Sequence, residues 1–247
     1  MLTRLVVLAA VGAMLSGCQL WQRDRAEPLR APYGERQVWA VAPLGNESGT
    51  RWVDGARIAD HITQQLENAD GLDTVAVNRV LAAMESLEMD AVTSPDDAAA
   101  LRRTLDVDGL VVGTVTAYDP YDPPKLGLAV ELYTGPRHPR IAAPDVRELQ
   151  QAATDESVQL PPLELDRPIS LASGYFDAAD ADVRRRLKRY AGDRGREGVG
   201  EERWRLYRIS MDLYTEFVSY EVSRRLLEAE RQRLHPPIIE DGEDDAS

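Results

Sequence analysis

The chain contains one cysteine, Cys18, among 247 residues. A lone thiol excludes an internal disulfide and any cysteine-based zinc site, so stability has to come from packing. Histidine is nearly as scarce: His61, His138 and His235 are far apart, in a predicted helix, a proline-rich loop and a helix end, where the simplest reading is exposed or hydrogen-bonded side chains. Long apolar runs are missing too. The longest, Leu5 to Met14, stops well short of the roughly 20 residues a spanning helix needs. Positive charge is outnumbered, with 29 Lys and Arg against 42 Asp and Glu and a net charge of −13. The summed field repels polyanions, which argues against a general nucleic-acid binder while leaving local basic patches open. No nucleophile with its base, phosphate loop or dinucleotide glycine pattern occurs as a motif. Together these absences argue against an enzyme and imply neither a metal nor a cofactor.

What is present starts at the amino terminus. Arg4, the apolar run Leu5 to Met14 and the small residues after it have the three-part layout of a secretory signal. Leu15-Ser16-Gly17-Cys18 resembles a bacterial lipobox. The resemblance implies cleavage between Gly17 and Cys18 and acylation of Cys18, making residues 1–17 a signal peptide. Each buried acyl methylene contributes about 0.8 kcal/mol, so a multiply acylated cysteine anchors its protein essentially permanently. By resemblance to enterobacterial sorting, Gln19 in place of Asp favours the outer membrane, with the protein facing the periplasm. Residues 18–37, polar and carrying Pro28 and Pro32 without clear periodicity, are expected to be the lipidated cysteine and a flexible tether.

The remainder, at 43% hydrophobic and 29% charged over the whole chain, suits a globular domain over 38–235. Val38 to Ala42 is a continuous apolar run, as in a strand buried on both faces. Ile58, Ile62, Leu66 and Ala69 recur at helical spacing. Thr74 to Val77 suits a short strand, and Asn78 a cap for a helix through Val80 and Met84. Ser94-Pro95-Asp96-Asp97 combines a capping hydroxyl, proline at the first helical position and a carboxylate at the third. Leu110 to Tyr118 reads as a central strand, and the alternation of Leu126, Leu128, Val130 and Leu132 predicts its antiparallel partner. A proline-rich excursion over 135–165 follows, then a strand at Pro168–Phe176 and a helix at Asp180–Ala191 with a basic face. Glu201 to Leu234 reads as one long helix with a wide apolar stripe including Leu206, Ile209, Leu213, Phe217 and Tyr220. Residues 236–247 read as an acidic, disordered tail. The expected fold class is α/β, with α+β as the variant: a mixed sheet with helices on both faces plus a long carboxy-terminal helix.

Val38 to Gly49, Val75 to Arg79 and Leu105 to Val115 resemble motifs of an envelope-protein group. The group comprises the amino-terminal domain of TolB, the curli-secretion lipoprotein CsgG and the lipoprotein activators of penicillin-binding proteins, LpoB among them. This implies a mixed sheet flanked by helices and a noncatalytic module that binds another envelope protein, with oligomers possible. One alternative is a subunit of a secretion or assembly complex; Gly135 to Leu165 lacks the alternation that membrane-spanning hairpins would need. Another is a cell-wall hydrolase using Asp119, Asp122 and Glu131 if the fold gathers them. The candidate partner or ligand loops are Gly45-Asn46-Glu47-Ser48, after the first strand, and Asp119 with Asp122, where a turn held by Asx hydrogen bonds competes with a cation seat. Arg184 to Arg186 with Lys188 and Arg189 could meet peptidoglycan carboxylates or an acidic partner, but a solvated helix face or pairing with the acidic tail is the simpler reading.

Overall fold

The computed structural model describes residues 26–135, 168–193 and 200–236. The signal segment with Gly17 and Cys18, most of the proline-rich excursion and residues 237–247 lie outside the described residues. Among the described residues six strands form one mixed sheet: β1 (Gln37–Val41), β2 (Gly45–Asn46), β3 (Leu72–Val75), β4 (Gly109–Asp119), β5 (Lys125–Thr134) and β6 (Ser170–Asp177). The order is β3-β1-β4-β5-β6, with β2 beside the far half of β4. β1 is parallel to β3 and β4, while β4, β5 and β6 are antiparallel to their neighbours in turn. Among the described residues six helices accompany the sheet: α1 (Gly55–Glu67), α2 (Val77–Ser86), α3 (Pro95–Leu105), α4 (Ala181–Asp193), α5 (Gly200–Ile209) and α6 (Met211–Leu234). α1 and α6 pack on one face, α2 and α3 on the other, and α4 and α5 lie against α6. The expected α/β class and mixed sheet are therefore present.

β1 runs through the centre because its residues are apolar on both sides. Trp39 and Val41 enter the core under α1 and α6, while Ala40 and Ala42 enter the one under α2 and α3. The indole of Trp39 lies so close to Gly109 that a Cβ there would come within 2.7 Å of it. Ile58, Ile62 and Leu66, spaced by four, place one face of α1 in the first core, and Asp54 caps the helix by accepting from the Arg57 amide at 3.0 Å. At α3 the capping box forms: the Asp97 amide donates to Ser94 Oγ at 3.1 Å and the Ser94 amide to Asp97 Oδ2 at 3.0 Å. The β4–β5 hairpin keeps Leu126, Leu128, Val130 and Leu132 buried on one face, with a register shift between Val115 and Ala117. On α6, Phe217, Val218, Val222 and Leu226 are fully buried, each such side chain contributing roughly 1.5–3 kcal/mol.

Four expectations change. The long helix is two: it breaks at Ser210, whose hydroxyl caps α6 by accepting from the Leu213 amide. α5 therefore leaves the stripe, and Leu206 and Ile209 are exposed. α2 starts at Val77 after Ala76, with no capping side chain, because β3 covers Leu72 to Val75 rather than Thr74 to Val77. Gly45 and Asn46, read as loop, pair as β2 with Thr114 and Val115. Finally, residues 26–36 are an arm docked on the body, although the tether was expected to reach Gln37.

The arm holds because Leu29, Ala31 and Tyr33 alternate toward the body. Leu29 and Ala31 are buried, and Tyr33 meets the Trp39 ring edge-on at 6.0 Å. Backbone bonds join the Ala31 amide to the Asp70 carbonyl and the Asp70 amide to the Leu29 carbonyl, at 2.8 and 3.0 Å. The fully buried Glu230 carboxylate fixes the far end, accepting from Tyr33 Oη at 2.8 Å, Ser170 Oγ at 2.6 Å and Arg233 Nη2 at 2.7 Å. One carboxylate thus ties together arm, β6 and α6.

Candidate functional site

β1, β2 and β4 run in the same direction, so their carboxyl ends meet at one end of the sheet, the position where open α/β sheets commonly bind. Three segments surround that end: the β1–α1 loop, the β4–β5 loop and the α5–α6 junction.

The β1–α1 loop is fixed by its own polar groups. Asn46 Nδ2 donates to the Thr50 carbonyl at 2.6 Å, and the Ser48 amide and hydroxyl both donate to Asn46 Oδ1, at 3.1 and 2.7 Å. The Glu47 amide donates to the Val115 carbonyl at 2.9 Å. Gly49 has φ of 76°, in the left-handed region that glycine adopts freely. Gly55 lets the loop close on α1, for a Cβ there would fall on the Leu44 carbonyl oxygen. Of the predicted residues, Asn46 and Ser48 hold the loop together, while Gly45, Asn46 and Glu47 are exposed beside Trp52, itself 70% exposed with Arg51 over its ring at 5.4 Å.

In the β4–β5 loop, the Tyr121 amide donates to Asp119 Oδ1 at 3.2 Å, the Asx turn weighed against a cation seat. Asp122 Oδ1 accepts from Arg208 Nε at 2.8 Å, which pins this loop to the end of α5. Tyr121 is 80% exposed and Ile209, beside the pinned arginine, 67%. Asp119 and Asp122 sit in one loop, but Glu131 lies opposite Val112, far down β4. At about 3.3 Å per residue that separation is roughly 20 Å, so the fold does not gather the three carboxylates a hydrolase would have used.

Between α1 and the start of α6 lies a charged centre that the sequence did not single out. Asp212 Oδ1 accepts from Arg57 Nε at 2.8 Å and lies 3.0 Å from His61 Nε2. The Arg57 hydrogen bond, aided by His61, holds the Asp212 carboxyl below its ordinary range, and the same bond raises the Arg57 guanidinium. Two open depressions meet at this triad. One, of about 480 Å³, extends along α1 to Thr74; the other, of about 310 Å³, runs beneath Trp52 to Tyr118 and Met211. Neither is lined by serine or cysteine. The Thr215 hydroxyl donates to the Met211 carbonyl at 2.8 Å within α6, and the Arg57–Asp212 pair joins α1 to α6. Among the described residues no cluster of His, Cys, Asp and Glu could hold a metal ion. Nor is any helix there long and apolar enough to cross a membrane.

The site is therefore an apolar rim, Trp52, Tyr121, Leu206 and Ile209, carried on segments joined by the Arg57–Asp212–His61 and Arg208–Asp122 pairs. Its sequence signals were weak but present: a tryptophan inside a polar loop, and Ser210 followed by Asp212 as a helix start within an apolar stripe. Of the aromatic residues from Trp204 to Tyr220, Tyr207, Tyr214, Phe217 and Tyr220 are buried, and Trp204 is half-buried against the same core.

No protein-family model matches the chain, and no curated protein matches it. Similar solved structures include the LpoB C-terminal domain from Salmonella enterica, at 12% identity and a TM-score of 0.39, covering 62% of this chain and 87% of that one. A hypothetical protein from Chlamydia trachomatis shares 14% identity at a TM-score of 0.37, covering 78% and 97%. Lipoprotein GNA1162 from Neisseria meningitidis shares 18% at 0.33, covering 40% and 72%. Likenesses at these scores carry no argument about this chain, whose fold and site rest on the geometry above.

Proposed function

We propose that this is a lipid-anchored envelope protein, held through Cys18 at the periplasmic face of the outer membrane, that binds another envelope protein through the rim and performs no chemistry of its own. The observation that carries the reading is the exposure of Trp52, Tyr121 and Ile209 on segments held in place by ion pairs. Large apolar side chains left in water on a rigid frame have the makeup of an interface centre, with the charges around them as its polar rim. The lipobox supports the anchor, and the motif resemblance supports a module of this kind.

A photocrosslinking residue placed at Trp52 or Ile209 in intact cells is expected to give one discrete adduct, and one at the exposed Arg79 on α2 none. Equal adducts at all three positions would rule out the rim. A second surface has an observation of its own: β6 ends the sheet, with Leu171 and Tyr175 exposed and no strand along its outer edge among the described residues. If Leu171→Glu alone abolished the adduct, or light scattering showed a ring that it disperses, β6 would replace the rim and the assembly-subunit reading would stand.

A further inference from the structure

The described chain begins at Ala26, beside a cleft of about 310 Å³ whose lining includes Arg186 and Arg189 of α4 and Arg224 of α6. Tyr220 Oη fixes this exit point by donating to the Glu27 carbonyl at 2.8 Å. In a chain of net charge −13, the stretch Asp182 to Arg189 reverses sign locally, with five basic residues against Asp182 alone. Glu221 offsets part of the charge, its Oε2 lying 3.6 Å from Arg186 Nε and 3.4 Å from Arg224 Nη2. Lys188 lies over the Trp204 ring at 4.6 Å, and Arg189 is exposed with no acidic partner among the described residues.

We infer that this basic face binds the phosphates of anionic phospholipids in the leaflet that holds the anchor. The inference rests on reading Cys18 as lipidated. The eight-step path from Cys18 to Ala26 can stretch at most roughly 27 Å at about 3.4 Å per residue. A folded domain of this size is roughly 40 Å across, so the side carrying Ala26 cannot turn far from the surface. At physiological salt, attraction fades over about 8 Å, which makes the short leash the condition for the contact. Each basic residue near an anionic surface raises the bound population by a factor of roughly five. Polyanions in solution meet the repulsion of the whole molecule; a headgroup within reach of the leash meets α4 first. Trp52 lies beside Met211 and Asp212 at the amino-terminal end of α6, whereas Tyr220, which holds the exit, is further along that helix.

The test uses the full-length lipidated protein in vesicles of phosphatidylcholine, alone or with phosphatidylglycerol. Flotation reads the anchor, and hydrogen exchange over residues 183–191 reads the contact. The expected result is several-fold slower exchange on the anionic vesicles, lost in high salt. It is lost equally in an Arg185→Glu, Lys188→Glu, Arg189→Glu variant that still floats, since all three side chains are exposed. Floating protein with the same exchange on both vesicles overturns the inference and leaves the anchor standing. Slowing that depends on residues 237–247 rather than on the lipid overturns it in favour of the acidic tail. Protein that does not float overturns the anchor and this inference together.

Discussion

Glu230 shows how one residue can hold three parts of a fold. Burial by itself pushes its carboxyl upward, yet the hydrogen bonds from Arg233, Ser170 and Tyr33 outweigh that, and the net shift is below the ordinary glutamate value. A carboxyl depressed in the folded state contributes stability that is fully present above its unfolded pKa and is lost as pH falls through the folded one. Asp212, depressed by its Arg57 bond, acts in the same direction but is half-exposed and counts for less. Thermal melts should therefore fall steadily as the buffer is taken below the glutamate range, and a Glu230→Leu variant should show a shallower acid limb. At neutral pH that variant leaves Tyr33, Ser170 and Arg233 without their acceptor and should be less stable by about 3 kcal/mol in urea titration. An unchanged acid limb would show that Glu230 is not the group responsible.

At the scale of elements, the capping box and the α5–α6 break make a useful contrast. Ser94 and Asp97 were legible because a cap is local: every group it needs lies within four residues. Ser94→Ala should cost about 1 kcal/mol, read by chemical denaturation, with the sheet intact. The break at Ser210 was hidden because the apolar stripe continues in sequence after α5 has turned its own residues outward. Periodicity reports which residues could share a face, and tertiary packing decides which do. The arm was missed for a related reason: Leu29, Ala31 and Tyr33 alternate, but over too short a span and between prolines. The candidate site was legible only as loops. That Asn46 and Ser48 bond to each other while Trp52 faces out depends on β2 pairing with β4, a contact between residues about seventy apart. Gly55→Ala should displace this loop, since its Cβ would meet backbone that cannot move independently; the expected readout is faster exchange of the loop amides and loss of the Trp52 adduct, while the α2 and α3 side of the sheet stays protected.

For the whole molecule, the docked arm adds residues 26–36 to the body, so under the proposed anchoring through Cys18 the leash would start from Ala26 and not from Gln37. The arm is also part of the core, and this can be tested apart from any membrane by comparing a chain beginning at Ala26 with one beginning at Val38. The shorter chain loses the burial of Leu29 and Ala31, the contact of Tyr33 with Trp39 and the hydrogen bond from Tyr33 to Glu230. Burial of one leucine and part of a tyrosine contributes about 3 kcal/mol, and the buried hydrogen bond about 1 kcal/mol more. In a domain of this size that loss should lower Tm by roughly 10 °C, and it should leave Trp39 open to quenching by iodide from the side the arm covered. If both chains melt together, the arm is only resting on the surface and the leash is as long as its sequence suggested.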